Sequence, residues 1–373
     1  MGLTMRSAIV HDWFQGLHGS ERTVAAMLDL FDRDPDIFTF HAARELLPER
    51  LGAAIVGESR LARLPGVRQR GHRPGRWRWL LPHMPRYFES LDLNGYELVV
   101  SSSHACAAGV RTRPDTLHVC YCYTPMRYAW MPATERGRAG RLKGLALRAL
   151  RERLREWDRR AAGRPDLYLA ISTAVAERIA TFYGRDALVV PPPVAVGDFP
   201  HEVEHDPSHF LWVHRLVPYK RPLEVAAAFR ELPDLRLTMV GVGPLERKLR
   251  AALPHNVELL GWVPRTRLVR LFAGAGGFVH VGEEDFGISM VEALAAGTPV
   301  LAPDRGGARD IVRPGIDGVL ISDSAHPARI REGVLALAGK TWDREKLRER
   351  AASFSEGHFQ SRLAEVLRAH GAT

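Results

Sequence analysis

Apolar residues recur along this chain in two rhythms, and the alternation between them sets the expected architecture. Short apolar runs read as buried strands: Ser7 to His11, Glu97 to Ser102, Leu117 to Cys122, Leu167 to Ser172 and Ala187 to Val190 in the first half. Phe210 to Val213, Leu235 to Val240, Val257 to Val263, Gly277 to Val281, Val300 to Ala302 and Gly318 to Ile321 continue the series in the second. Between them the spacing turns helical. Glu21 to Phe31 carries Val24, Met27, Leu28 and Phe31 on one face, with Ser20 placed to cap it. Gly140 to Trp157, a segment from Leu223, another from near Gly287, and about Glu356 to Ala369 follow the same period. Strands alternating with helices predict an α/β chain built on parallel sheets. Pro191-Pro192-Pro193 stops the fifth of these runs and stiffens the chain, so a domain boundary is expected between about 194 and 208.

Composition narrows the class. At 373 residues the chain has length for two domains of ordinary size, and 46% hydrophobic with 25% charged residues describes a soluble globular protein. No apolar run is long enough to span a bilayer. Met1 to Met5 leads straight into the first strand, so no signal peptide is expected. Cys106, Cys120 and Cys122 lack metal-ligand spacing and read as buried thiols of a cytoplasmic protein.

The charge is lopsided. Residues 1–200 hold 29 Lys+Arg against 21 Asp+Glu, and the remainder 23 against 22. Eight arginines and no acid lie between Arg60 and Arg86, interleaved with Trp77, Trp79, Leu80 and Leu81, and a second basic stretch runs from Arg127 to Arg164. Such a stretch suits an anionic membrane surface, which would place the protein peripherally on the inner face of the membrane. Nucleic acid and a merely solvated arginine face are the competing readings.

Candidate chemistry gathers where strands end. Glu284-Asp285-Phe286-Gly287-Ile288-Ser289 follows one strand and opens a helix, so Glu284 sits at the strand mouth and Glu292 inside the helix. In open α/β sheets ligands sit at the carboxyl ends of strands, beside helix N-termini whose free amides attract phosphate. Arg215 and Lys220 lie across a turn at another strand end, where fixed cations would stabilise charge developing on a leaving group. Gly16 and Gly19 sit in a strand-to-helix turn that lets backbone approach a phosphate or sugar. The Asp-x-Asp strings at 32–36 read as a solvated turn at a helix end, so no metal requirement is expected.

The seventeen-residue string from Glu284 to Val300 resembles the signature of family-4 retaining glycosyltransferases, which have the two-Rossmann GT-B fold with an interdomain cleft and use nucleotide-sugar donors. The resemblance implies an N-terminal acceptor-binding domain at 1–196, a C-terminal nucleotide-sugar domain at 197–355, and a helix at 356–373 crossing back to the first. It implies that Glu284 and the amides of Phe286, Gly287, Ile288 and Ser289 meet the donor sugar and diphosphate, and that Glu292 holds the ribose. The phrase from His214 to Lys220 resembles the family's Gly-Arg-Leu…Lys pattern, with His214 in place of the glycine, and assigns the diphosphate clamp to Arg215 and Lys220. Trp262 and Val263 lie in the segment that resembles the one holding the base through backbone groups. Ser101-Ser-Ser-His104-Ala and Thr124-Pro-Met-Arg127-Tyr128-Ala-Trp130 resemble a mannosyltransferase branch that builds bacterial surface polysaccharides, which places His104, Arg127 and Tyr128 on the acceptor side. Tyr123 stands where that branch has a histidine, so that role passes to the Tyr123 hydroxyl, passes to His104, or is absent. Gly19 is followed by Ser20 rather than by the branch's second glycine.

The resemblance therefore implies a metal-independent retaining glycosyltransferase without a cofactor, moving mannose from GDP-mannose to a saccharide or lipid-linked saccharide acceptor. UDP-, ADP- or dTDP-linked donors, a nucleotide-sugar epimerase, and a basic nucleic-acid-binding protein are the alternatives.

Overall fold

The structure, a computed structural model, describes residues 2–64, 67, 77–131, 141–200 and 203–373, with the backbone alone for residues 77–79, 141–147 and 149. Contacts divide the chain into two units, Met1–Pro193 with Phe359–Thr373, and Val194–His358. Each is an α/β unit around one parallel sheet, as the alternating rhythm predicts.

The first sheet comprises β1 (Ser7–His11), β2 (Asp36–Thr39), β3 (Ile55–Glu58), β4 (Leu98–Ser103), β5 (Leu117–Cys122), β6 (Leu167–Ala170) and β7 (Leu188–Val189). Their order is β3-β2-β1-β4-β5-β6-β7, every pairing parallel. β1 and β4 are buried along their whole length, which is why their apolar residues, Ala8-Ile9-Val10 and Leu98-Val99-Val100, are consecutive rather than alternating. The second sheet comprises β8 (Asp206–Val213), β9 (Arg236–Val240), β10 (Val257–Gly261), β11 (Ala275–Val279), β12 (Val300–Pro303) and β13 (Gly318–Ile321). Its order is β10-β9-β8-β11-β12-β13, again all parallel. Both sheets grow outward from their first strand and then reverse to its other side. The reversal makes a topological switch point between β1 and β4 in one unit and between β8 and β11 in the other, and ligands enter open α/β sheets there.

Each unit has its own core. Phe210, Trp212, Leu216, Phe229, Met239 and Val279 pack together in the second, and Val10, Phe40, Phe88, Leu93, Met126 and Leu154 in the first. A buried side chain of this size contributes roughly 1.5–3 kcal/mol, so these layers fix where the strand ends lie. The last helix, Glu356–Ala369, buries Phe359, Leu363, Val366 and Leu367. Gln360 Nε2 donates to the Ala26 carbonyl at 3.1 Å, and the Phe359 ring lies 5.8 Å from that of Tyr121.

Local expectations fail in a few places. Ser20 does not cap its helix. The helix is Gly19–Leu28 with His18 at the N-cap, because the Arg22 amide already reaches the His18 carbonyl at 2.9 Å. The Ser20 hydroxyl donates instead to Glu21 at 3.0 Å. The acidic turn at 32–36 is not simply solvated, since Arg50 binds Asp34 and Asp29 together. Strands β2 and β3 have no counterpart in the sequence reading. The three cysteines are buried thiols, as expected. Among the described residues no helix is long and apolar enough to cross a membrane.

Candidate active site

The switch point of the second sheet brings two distant stretches of sequence together. From β8 the chain runs through His214, Arg215 and Leu216 into the turn Pro218–Lys220, then into the helix Pro222–Phe229. The Leu216 amide donates to the Val242 carbonyl at 3.0 Å, which ties this loop to the one following β9. Arg215 is exposed and donates from Nη2 to the Tyr219 hydroxyl at 3.3 Å. Lys220 is buried. From β11, the neighbouring strand, the chain passes Gly282 to Glu284, and the Lys220 ammonium forms an ion pair with the Glu284 carboxylate. Gly282 makes that approach possible: a Cβ there would stand 3.0 Å from the Tyr219 carbonyl and 3.1 Å from Lys220 Cδ.

Beyond Glu284 the chain turns into the helix Ile288–Ala295 through Gly287 at φ +108, a conformation that L side chains rarely adopt. An ideal Cβ at Gly287 would lie 3.6 Å from Glu284 Oε2, so the carboxylate stands at the helix entrance. Ile288 and Ser289 occupy the first turn, where amides lack intrahelical acceptors and the helix dipole favours an anion. The Phe286 side chain is buried, its ring 5.7 Å from Phe354, so only its backbone can face a ligand. Two imidazoles lie beneath, His214 and His280, with ring centroids 4.6 Å apart. Burial pushes both well below the usual histidine range, and Lys220 adds to this, so they are neutral at pH 7.

Glu292 is one turn into the same helix. Its Oε1 accepts from Arg265 Nη1 at 2.5 Å, a partner that the sequence reading did not identify. Trp262 and Val263 follow β10, where the Gly241 amide donates to the Gly261 carbonyl at 2.8 Å. Val263 is buried, whereas Trp262 is 74% exposed.

The remaining predicted residues form a group of their own at the switch point of the first sheet. Gly16, at φ +151, lies in the loop after β1, and Gly19 is the first residue of its helix rather than part of the loop. Asp12, which the sequence reading did not single out, is fully buried and pins the end of β1 to the end of β4. Its two oxygens accept from the amides of His104, Ala105, Cys106 and Ala107 at 2.6–2.9 Å. His104 Nδ1 lies 3.6 Å from Asp12, and its ring packs edge-on to Trp13 at 4.3 Å. The Tyr123 hydroxyl donates to the Ser20 carbonyl at 3.1 Å and lies 3.0 Å from Ser102 Oγ. Burial pushes its phenol far above the ordinary value, so it stays protonated and cannot serve as a base. Arg127 and Tyr128 sit on the one-turn helix Arg127–Trp130, exposed and half-buried respectively. Among the described residues no group of three His, Cys, Asp or Glu side chains could hold a metal ion.

Comparison with known proteins agrees with this architecture. The profile described as Glycosyltransferase Family 4 matches residues 17–197, and that described as Glycosyl transferases group 1 matches residues 198–354. A GDP-mannose-dependent alpha-mannosyltransferase of Mycolicibacterium smegmatis is 33% identical over 219 residues, covering 50% of this chain and 56% of that protein. A D-inositol 3-phosphate glycosyltransferase of Geodermatophilus obscurus is 32% identical over 205 residues, covering 46% of each. The chain thus spans about half the length of the curated relatives it matches. Among solved structures, the lipopolysaccharide outer core galactosyltransferase WaaB superposes with a TM-score of 0.65 at 16% identity, covering 98% of this chain and 100% of that one. Anabaena Alr3699/HepE in complex with UDP and glucose gives 0.64 at 18% identity, with 98% and 99% covered. At such identities the likeness is one of fold.

Proposed function

Because this chain belongs to the family-4 glycosyltransferases of the GT-B fold, we propose that it is a retaining glycosyltransferase whose second unit holds a nucleotide-sugar donor. The observation that carries the reading is the convergence of Arg215, the Lys220–Glu284 pair and the first turn of the helix Ile288–Ala295 at one switch point. In this reading Glu284 and the amides from Phe286 to Ser289 take the sugar hydroxyls and diphosphate. Arg215 and Lys220 neutralise charge on the departing nucleoside diphosphate, Glu292 takes the ribose, and Trp262 and Val263 border the base. The bond from the anomeric carbon to the diphosphate breaks, and the acceptor hydroxyl oxygen attacks from the same face. Its proton passes to the departing phosphate oxygen, so no carboxylate nucleophile is needed. Cations aimed at the developing charge supply the electrostatic stabilisation, and no metal or cofactor is required.

GDP-mannose is the proposed donor, supported by the mannosyltransferase relatives. A saccharide or lipid-linked saccharide is the proposed acceptor, received on the side of His104, Tyr123, Arg127 and Tyr128. A thermal-shift panel of GDP-, UDP-, ADP- and dTDP-sugars tests the donor, with stabilisation by GDP-mannose expected. A larger shift from another nucleotide would replace guanine. Donor converted without any acceptor, followed by NMR, would replace transfer by epimerisation. Peripheral association with an anionic membrane on its inner, cytoplasmic face is proposed from the arginine-rich stretch; most of that stretch lies outside the described residues. Its described start supports the idea, because Leu61 and Leu64 are exposed beside Arg60 and Arg63. Nucleic acid is not a proposed partner.

A further inference from the structure

The Glu292 carboxylate is held from outside its own helix. Arg265 opens the helix Arg265–Gly274, and its guanidinium forks between two acids: Nη1 donates to Glu292 Oε1 at 2.5 Å, and Nη2 to Asp198 Oδ2 at 3.1 Å. The fork is also seated on a ring, with Cζ 5.0 Å from the Phe199 centroid. Phe199 is itself buried against Phe272 of the arginine's own helix, ring centroids 5.9 Å apart. Two hydrogen bonds and one cation–π contact therefore set the guanidinium's plane. A planar guanidinium transmits that orientation to the carboxylate it binds, as a lysine's point charge does not.

Stability is a weak explanation for this arrangement. The Arg265 and Asp198 side chains are 37% and 50% exposed, and ion pairs so open to water contribute little. Glu292 is the enclosed member at 16%. A carboxylate offers about four acceptor positions on its two oxygens. Arg265 takes a position on Oε1 and, with its own plane held by Asp198 and Phe199, restrains the direction in which that oxygen faces.

We infer that Arg265 is a positioning residue for the donor's ribose, fixing the Glu292 carboxylate in the orientation that accepts both hydroxyls of a vicinal diol. The inference rests on the nucleotide-sugar reading of the site. Arg265 acts through Glu292, and Asp198 and Phe199 act through Arg265.

Calorimetric titration of GDP and UDP, each against its 2′-deoxy counterpart, tests it. The wild type should prefer the ribonucleotide by on the order of tenfold, the effect of leaving one enclosed acceptor without its donor. Arg265→Gln should bring that ratio close to one at a melting temperature near that of the wild type. Arg265→Gln combined with Glu292→Gln should be no worse than Glu292→Gln alone. Asp198→Asn, which removes only an exposed anchor, should give an intermediate ratio and guards against a variant that fails to fold. Binding by the wild type with an unchanged ratio in Arg265→Gln overturns the inference alone. A change in base preference with the ribose ratio intact also overturns it, because the arginine would then touch the base. Failure of the wild type to bind either ribonucleotide overturns the donor reading and this inference with it.

Discussion

Lys220 and Glu284 lie far apart in sequence, and each is half of a partly enclosed ion pair whose other half comes from the adjacent strand. Replacing either by alanine removes a charge that the proposed chemistry uses in the transition state. Lys220→Ala and Glu284→Ala should each lower sugar transfer by at least about a hundredfold. Far-ultraviolet circular dichroism should be unchanged, since neither residue belongs to the packed core. Turnover at the wild-type level in either variant would remove them from the machinery. Arg215 and Lys220 were legible in the sequence because one turn at one strand end carries both. Their pairing with Glu284 was not, because it depends on β8 lying beside β11. Asp12 went unread for a related reason: its four amide partners follow β4, more than ninety residues away. Nothing in the neighbourhood of Asp12 marks it as a pin rather than a loop acid.

At the scale of elements, the one-turn helix Arg127–Trp130 is held by the long helix Arg141–Ala161. Trp130 Nε1 and the Tyr183 hydroxyl both donate to Asp158 Oδ2 at 2.7 Å, Arg155 Nε donates to the Ala129 carbonyl at 2.8 Å, and Trp130 stacks on Phe182. Burial pushes the Asp158 carboxyl up to about 6, against the pull of its two hydrogen bonds. Because the folded value lies above the unfolded one, the folded state retains a proton that the unfolded chain has already released. Stability from this group is therefore present at low pH and is lost as pH rises from about 4 through about 6. Asp158→Asn keeps an acceptor for both donors and cannot ionise. It should match the wild type near pH 4 and exceed it at pH 7.5 by on the order of 2 kcal/mol, read as a difference between denaturant midpoints. Equal pH profiles would show that Asp158 does not titrate in this window. His11 and His118 work in the opposite direction: burial pushes both down to about 4, so acidification below pH 6.5 destabilises the fold through them. The Ser20 expectation failed at this same scale, because helix starts are set by which carbonyl the first amides reach as well as by the identity of a capping residue.

For the whole molecule, the proposed chemistry, in which cations fixed on the chain take the place of a bound ion, expects transfer to persist in excess EDTA; loss of activity restored by a divalent metal would overturn that. Arg76→Glu with Arg78→Glu should lower co-sedimentation with vesicles rich in anionic lipid and leave nucleotide affinity unchanged. Both residues carry this expectation from sequence alone, since Arg76 and the Arg78 side chain lie outside the described residues, and unchanged sedimentation would end the membrane proposal. The fold class was written in the chain itself, because parallel strands buried on both faces must be continuous apolar runs, and amphipathic crossovers must repeat near every third or fourth residue. The residue types of the proposed site stand in the sequence as well, since strand-end loops gather glycines, acids and cations within a few positions. Only the tertiary structure decided which of those loops meet. Strand order is a long-range property with no local signature; it placed Lys220 against Glu284 and Asp12 beneath the end of β4, while the packing of the helices Arg265–Gly274 and Ile288–Ala295 placed Arg265 against Glu292.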